Sequence, residues 1–204
     1  EIHERLVGSE MCIRDSSRAI GLLFALSLLC VGCENEDILD INDLEISPSN
    51  PESVIIVEPD DGITSVNALT RAINENGDAT YILRRDGVYY MEGKNVFKHN
   101  VVIKAENGSG KMPIIQPICD AQGALNADMI RLEGSATFEN IYIIGKDAAT
   151  GNLMQRLFRI DESNVRLKFD HCFIDHCRNF CIRTDNVNNK IYLNNSTIRN
   201  LALT

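Results

Sequence analysis

The sequence has no run of lysine or arginine and no basic amphipathic stretch, and its net charge is −9. Nucleic acid is excluded as a partner on that ground, because phosphate binding needs a basic stripe. No apolar segment is long enough to cross a bilayer either. The longest, residues 19–33, is shorter than the ~20 residues a spanning helix needs. A phosphate-binding loop is also missing. "GSGK" at 108–111 resembles the end of one, but Ala105 stands where the first glycine is required and Met112 replaces Ser or Thr. What is present is a globular balance, 44% hydrophobic and 24% charged residues, in a chain of 204 residues. That length suits one domain with a sizeable core.

The chain begins with a stretch that fits nothing after it. "EIHERLVGSEMCIRDS", residues 1–16, resembles translated sequencing-adapter read-through and is set apart as an artefact. Arg18 then flanks the apolar residues 19–33, so residues 17–33 read as a signal peptide. The segment closes on "LLCVGC", which resembles a bacterial lipobox with Cys33 as the lipid-bearing residue. Cys30 stands where leucine is usual, and cleavage without a lipid is the alternative. The acidic "ENED" after Cys33 resembles the export signal of surface lipoproteins in Bacteroidota-type bacteria. This resemblance implies a protein held at the outer membrane and cell surface, its acyl chains contributing ~0.8 kcal/mol per buried CH₂. Residues 34–53, acidic and rich in Pro, Ser and Asn, read as a tether.

From residue 54 to 204 the sequence reads as one domain. "VIIVEP" predicts a strand. Ile63, Val66, Leu69, Ala72 and Ile73 recur at helical spacing, and the helix should stop at Asn76-Gly77. "ATYILRRDGVYY" predicts strand, turn at Asp86-Gly87 and strand. Two strand series then repeat. "FENIYIIG", "FDHCFIDH" and "LNNSTIRN" form one, starting at Phe138, Phe169 and Leu193. "MIRLEG", "LFRIDE" and "NFCIRT" form the other, aligned on Leu132, Ile160 and Ile182. Alternation points Ile130, Leu132, Phe158, Ile160, Phe180 and Ile182 inward, with Phe138, Ile143, Phe169, Ile174, Leu193 and Ile198. "VVIKAENGSGKMPIIQPI" before them predicts an irregular first coil.

A single amphipathic helix leading into "GDATYILRRDGVY", followed by strand repeats of this length, resembles the N-terminal part of pectate-lyase-like proteins. The fold implied is all-β: a right-handed parallel β-helix with an N-terminal capping helix whose apolar face covers the open end of the first coil. The chain ends at "TIRNLALT" inside a coil, which reads as a truncated solenoid and an N-terminal fragment.

"FDHCFIDHCRNFC", residues 169–181, offers metal-ligand types at close spacing. On the coils its members point apart. Cys172 stacks inward between Ile141 and Ser196, His171 stacks with Asn140 and Asn195 at a bend, and His176 and Cys177 occupy the next turn. Cys181 aligns with Arg131 and Arg159, facing outward. Zinc needs four convergent ligands, so core cysteines and ladder histidines are the expectation. A Cys177–Cys181 disulfide stays open as an alternative, since export permits oxidation.

Within the superfamily the resemblance is to the chondroitinase-B and alginate-lyase branch. It implies a polysaccharide lyase acting on uronate-containing glycans by β-elimination. In such a lyase a basic side chain removes the proton beside the carboxylate, and Ca²⁺ in the full-length protein offsets the developing charge. No cofactor site is visible in the sequence, and no catalytic residue carries over to it. A noncatalytic glycan-binding or adhesin-like surface protein is the alternative. The candidate glycan-facing residues are Arg131, Arg159 and Arg183. Arg131 and Arg159 are expected one above the other on an outward face, with Arg183 aligned on Glu133 and Asp161. The partner they imply is an acidic polysaccharide.

Overall fold

Apolar residues that alternate along each segment, and recur a coil later, become stacked parallel strands. The computed structural model describes residues 53–202. The segments read above as artefact, signal peptide and tether, with Cys33, lie outside the described residues, save Ser53. The chain first lays down β1 (Val54–Val57) and α1 (Ala68–Asn76). It then repeats a three-strand coil: β2 (Ala79–Leu83), β3 (Val88–Glu92) and β4 (Val96–Phe97), followed by β5 (Val101–Ala105), β6 (Ile114–Ile118) and β7 (Asp128–Leu132). The third coil is β8 (Ala136–Glu139), β9 (Tyr142–Ile144) and β10 (Arg156–Ile160). The fourth is β11 (Arg166–Asp170), β12 (Phe173–Cys177) and β13 (Phe180–Thr184), and β14 (Lys190–Asn194) and β15 (Thr197–Leu201) begin a fifth. Three all-parallel sheets result, ordered β1-β2-β5-β8-β11-β14, β3-β6-β9-β12-β15 and β4-β7-β10-β13. This is a parallel β-helix, as the repeats predict, and the segment expected to be irregular supplies regular strands β5 and β6.

The column down the axis is apolar. Phe138, Phe158 and Phe169 are fully buried with ring centroids 5.2 to 5.5 Å apart. Such ring pairs add ~0.5–1.5 kcal/mol each beyond area burial. Phe138 pairs with Phe169 and Phe169 with Leu193, while Ile143 pairs with Ile174 and Ile174 with Ile198, as the second repeat series predicts. The first series needs one correction. Arg159 lies opposite Arg183 and Ile160 opposite Thr184, so Ile182 belongs with Phe158 and not with Ile160. The expected register was two residues off, a shift that preserves which face each side chain takes. Phe180 (55% exposed) and Leu193 (52%) lie on β13 and β14, the end strands of their sheets, where no further strand covers them among the described residues.

Asparagine abounds because the bends need it. Asn140, His171 and Asn195 all have positive φ and stack at one corner, as do Asn164 and Asn188 at another. Asn tolerates this left-handed region better than most side chains. α1 covers the first coil with Leu69 and Ile73, both fully buried. It starts later than its apolar spacing predicts, and Ile63 is 89% exposed. The carboxylate of Asp61 accepts N–H bonds from Ile63, Thr64 and Ser65, which holds that stretch in a turn. Asp60 then accepts the N–H of Ala68 at the true helix start.

Candidate functional site

The connections from the second to the third sheet differ sharply in length. Residues 119–127 join β6 to β7 and residues 145–155 join β9 to β10, whereas only Arg178 and Asn179 join β12 to β13. The two long loops stand beside a short step, and a cleft of about 590 Å³ opens there. That volume falls within the ~300–1,000 Å³ typical of ligand pockets. Asn126, Asn152, Gln155 and Arg178 supply its polar lining, and Leu125 and Leu153 its apolar part.

Two aspartates shape the walls. Asp120 accepts the N–H groups of Gln122 and Ala124, closing a turn at Gly123, whose φ is +76°. Asp147 is 1% exposed and accepts from the N–H groups of Ala149 and Thr150, the Thr150 hydroxyl and, across the loops, the N–H of Cys119 at 2.8 Å. Burial pushes its carboxyl up, but these donors outweigh burial and hold it below the usual carboxylate range. The sequence reading passed over this cleft. Its only signal was the unusual length of these two connections within an otherwise tight repeat.

The third sheet carries the candidate arginines, on strands that begin at Asp128 and Arg156, directly after the cleft-lining Ala127 and Gln155. Arg131, Arg159 and Arg183 stack on successive strands β7, β10 and β13. Arg183 is therefore a rung of the same ladder, not a neighbour of Glu133 and Asp161 as expected. Aspartates interleave them. Arg131 lies 3.0 Å from Asp161 and 3.4 Å from Asp128, Arg159 2.7 Å from Asp161 and 3.7 Å from Asp185, and Arg183 3.2 Å from Asp185. Arg156 also pairs with Asp128. The Arg131 Nε contacts are charge against charge without the alignment of a hydrogen bond. The hydrogen bond to Asp161 raises the Arg159 pKa further above its ordinary value. Stacked like charges are thus offset within the protein itself.

The cysteine–histidine segment disperses over the fold. Cys172 is 1% exposed, between Ile141 and Ser196 as predicted, and its thiol is pushed up to about 11 by burial. His171 takes the left-handed bend and faces Asp170 at 2.7 Å. His176 and Cys177 belong to β12 itself rather than to a turn. Cys181 faces the core, not outward: it falls between the pairs Arg156–Phe180 and Phe158–Ile182, opposite fully buried Leu157. Burial pushes its thiol up to about 12. The four described cysteines, these three and Cys119, are free thiols. A thiol held protonated is a poor nucleophile and a poor metal ligand.

One further polar cluster lies on the second sheet. Asp175, 1% exposed, accepts from Tyr142 Oη at 2.8 Å, Arg199 Nε at 3.0 Å and Asn200 Nδ2 at 2.7 Å. Burial raises its pKa, but these donors prevail and lower it overall. The pairing ties three coils together.

No protein-family model matches the sequence, and no curated protein matches it. Among solved structures the chain is similar to the PL6 family alginate lyase AlyGC, solved as a point mutant. Identity is 19% and the TM-score 0.50, over 72% of this chain and 20% of that one. The chain thus spans about a fifth of the length of that lyase. At this identity the likeness concerns the fold, and it places the chain among parallel β-helices of the kind an alginate lyase is built on.

Proposed function

We propose that the protein is a cell-surface lipoprotein that binds or processes polysaccharide, and that it serves a lyase reaction on uronate-containing glycans. The observation that carries this reading is the polar cleft on the flank of a parallel β-helix, lined by residues that lead into the strands bearing the arginines. The likeness in fold to an alginate lyase supports it. Arg131, Arg159 and Arg183 would face the glycan, with the aspartates between them releasing a guanidinium to a uronate carboxylate as the polymer docks.

β-Elimination needs a base beside the carbon next to the carboxylate and a positive group to stabilise the enediolate. Calcium would supply that charge in lyases of the kind the sequence resembles. Among the described residues no three His, Cys, Asp or Glu side chains converge as a metal cage would need.

Incubation of the full chain with alginate, pectin and chondroitin sulfate tests the reading. A lyase generates unsaturated sugar ends, read by their ultraviolet absorbance. Binding without unsaturated ends makes the protein a noncatalytic glycan binder, and neither binding nor product rejects the proposal. The anchor has its own test. Labelled palmitate should enter the protein in a bacterial host and be lost in Cys33→Ala, whereas equal labelling of the two would reject lipid attachment at Cys33.

A further inference from the structure

Cations on this flank fall into two groups. The ladder arginines and Arg156 each have a carboxylate within 4 Å. Arg178 is different. It is exposed, it lines the cleft, and no carboxylate pairs with it among the described residues. Its backbone is fixed, since its N–H bonds to the carbonyl of Met154 at 2.9 Å. Lys146, also exposed and without a carboxylate partner among the described residues, runs along the wall. Its Cε lies 3.7 Å from where a side chain at Gly151 would begin. The nearby acids do not answer these charges, because Asp120 and Asp147 are turned into their own loops and accept backbone N–H groups.

The remaining lining favours a hydroxylated ligand. Asn126, Asn152 and Gln155 carry amides, which both donate and accept as sugar hydroxyls do. Among the described residues no aromatic ring lines the cleft, and they offer a sugar face no stacking platform there. Recognition then falls to hydrogen bonds and charge, and a planar guanidinium meets a carboxylate in two parallel N–H···O contacts.

We propose that the cleft between residues 119–127 and 145–155 is a binding subsite for a single uronate residue, with Arg178 gripping the carboxylate and Lys146 reinforcing the charge. This rests on the polysaccharide reading above and assigns the sugar-holding role within it to Arg178. The ladder arginines, already neutralised, contribute less per side chain.

Titration of the full chain with a hexameric oligomannuronate at low salt tests it, beside maltohexaose as a neutral oligosaccharide. The expected result is binding of the uronate and not of the neutral sugar. Arg178→Gln should weaken binding by about tenfold or more, in line with loss of a charged hydrogen-bonded contact. Arg178→Lys should recover part of the loss. Lys168→Gln, on the outward side of the first sheet, removes the same charge and should leave binding unchanged. Equal affinity of Arg178→Gln and the parent overturns the subsite while the polysaccharide reading stands. An equal loss in Lys168→Gln, or equal binding of maltohexaose, overturns it too by showing unspecific attraction or indifference to the carboxylate. A parent chain that binds no anionic oligosaccharide rejects both readings. Arg178 is exposed, so the substitution leaves the core untouched, and unchanged circular dichroism checks this.

Discussion

Burial alone would raise the pKa of Asp147, yet the N–H groups of Cys119, Ala149 and Thr150 and the Thr150 hydroxyl hold it below the usual carboxylate range. The folded protein therefore binds this proton more weakly than the unfolded chain, whose aspartates titrate near pH ~3.9. The stability it contributes is fully present above that pH and is lost as pH falls through the lower, folded value. Asp147→Asn places an amide donor against one of these N–H donors and should cost ~1–3 kcal/mol near neutral pH. Urea titrations from pH 7 down to 3 should show a shallower loss of stability in the variant, and parallel curves would refute the assignment. This residue was not legible beforehand, because its partner Cys119 is 28 positions away and only the fold sets them side by side. The cysteines and histidines of 169–181 were largely legible. Strand alternation decides burial, and a left-handed bend shared with Asn140 and Asn195 explains His171 without any metal. Cys181 was misplaced because alternation sets it on the face of exposed-side Arg159, whereas the residue it lies opposite, Leu157, is fully buried and Cys181 packs against the core there.

α1 is where one element decides whether the stack can begin. Leu69 and Ile73 close the axial column, and Thr70 donates to Asn95 at 2.6 Å beneath them. Leu69→Asp would bury a carboxylate without a partner and should lower stability by several kcal/mol. An unchanged melting temperature in a folded variant would show that the helix does not seal the coil. The helix was legible as an element but not in its start, since Ile63 and Val66 satisfy the spacing while Asp61 takes that stretch into a turn. Register shows the same division. Alternation fixes which face a residue takes, but a two-residue slip leaves every face unchanged, so turn lengths decide the rung. That is why Arg131 above Arg159 was legible in the sequence, while Arg183 as the third rung of their ladder was not. Its interleaved aspartates also predict that Asp161→Asn, by leaving Arg131 and Arg159 to repel, lowers stability more at low salt than at high. Denaturation at two ionic strengths measures this, and a salt-independent loss would contradict it.

The molecule as described has unlike ends: one is sealed by α1, and the other exposes apolar side chains on unpaired strands. Phe180, Ile191, Leu193 and Leu201 are 41–55% exposed beside the free edges of β13, β14 and β15. Such an edge recruits further strands. These 204 residues should self-associate as their concentration rises, and Ile191→Lys with Leu193→Lys should suppress this. Sedimentation velocity reads the outcome, and a monomer at every concentration would refute it. The in-register stacking also has a kinetic meaning. Phe138 pairs with Phe169 and Phe169 with Leu193, so each strand meets only the coil before it and the coil after it. Contacts then join nearby parts of the sequence, and structure can grow by accretion, each finished coil serving as the template for the next. Protection from amide exchange should accordingly follow position along the axis. Strands β2 and β5, beneath the helix, would open last, while β14 and β15 would fray first without melting the coils behind them.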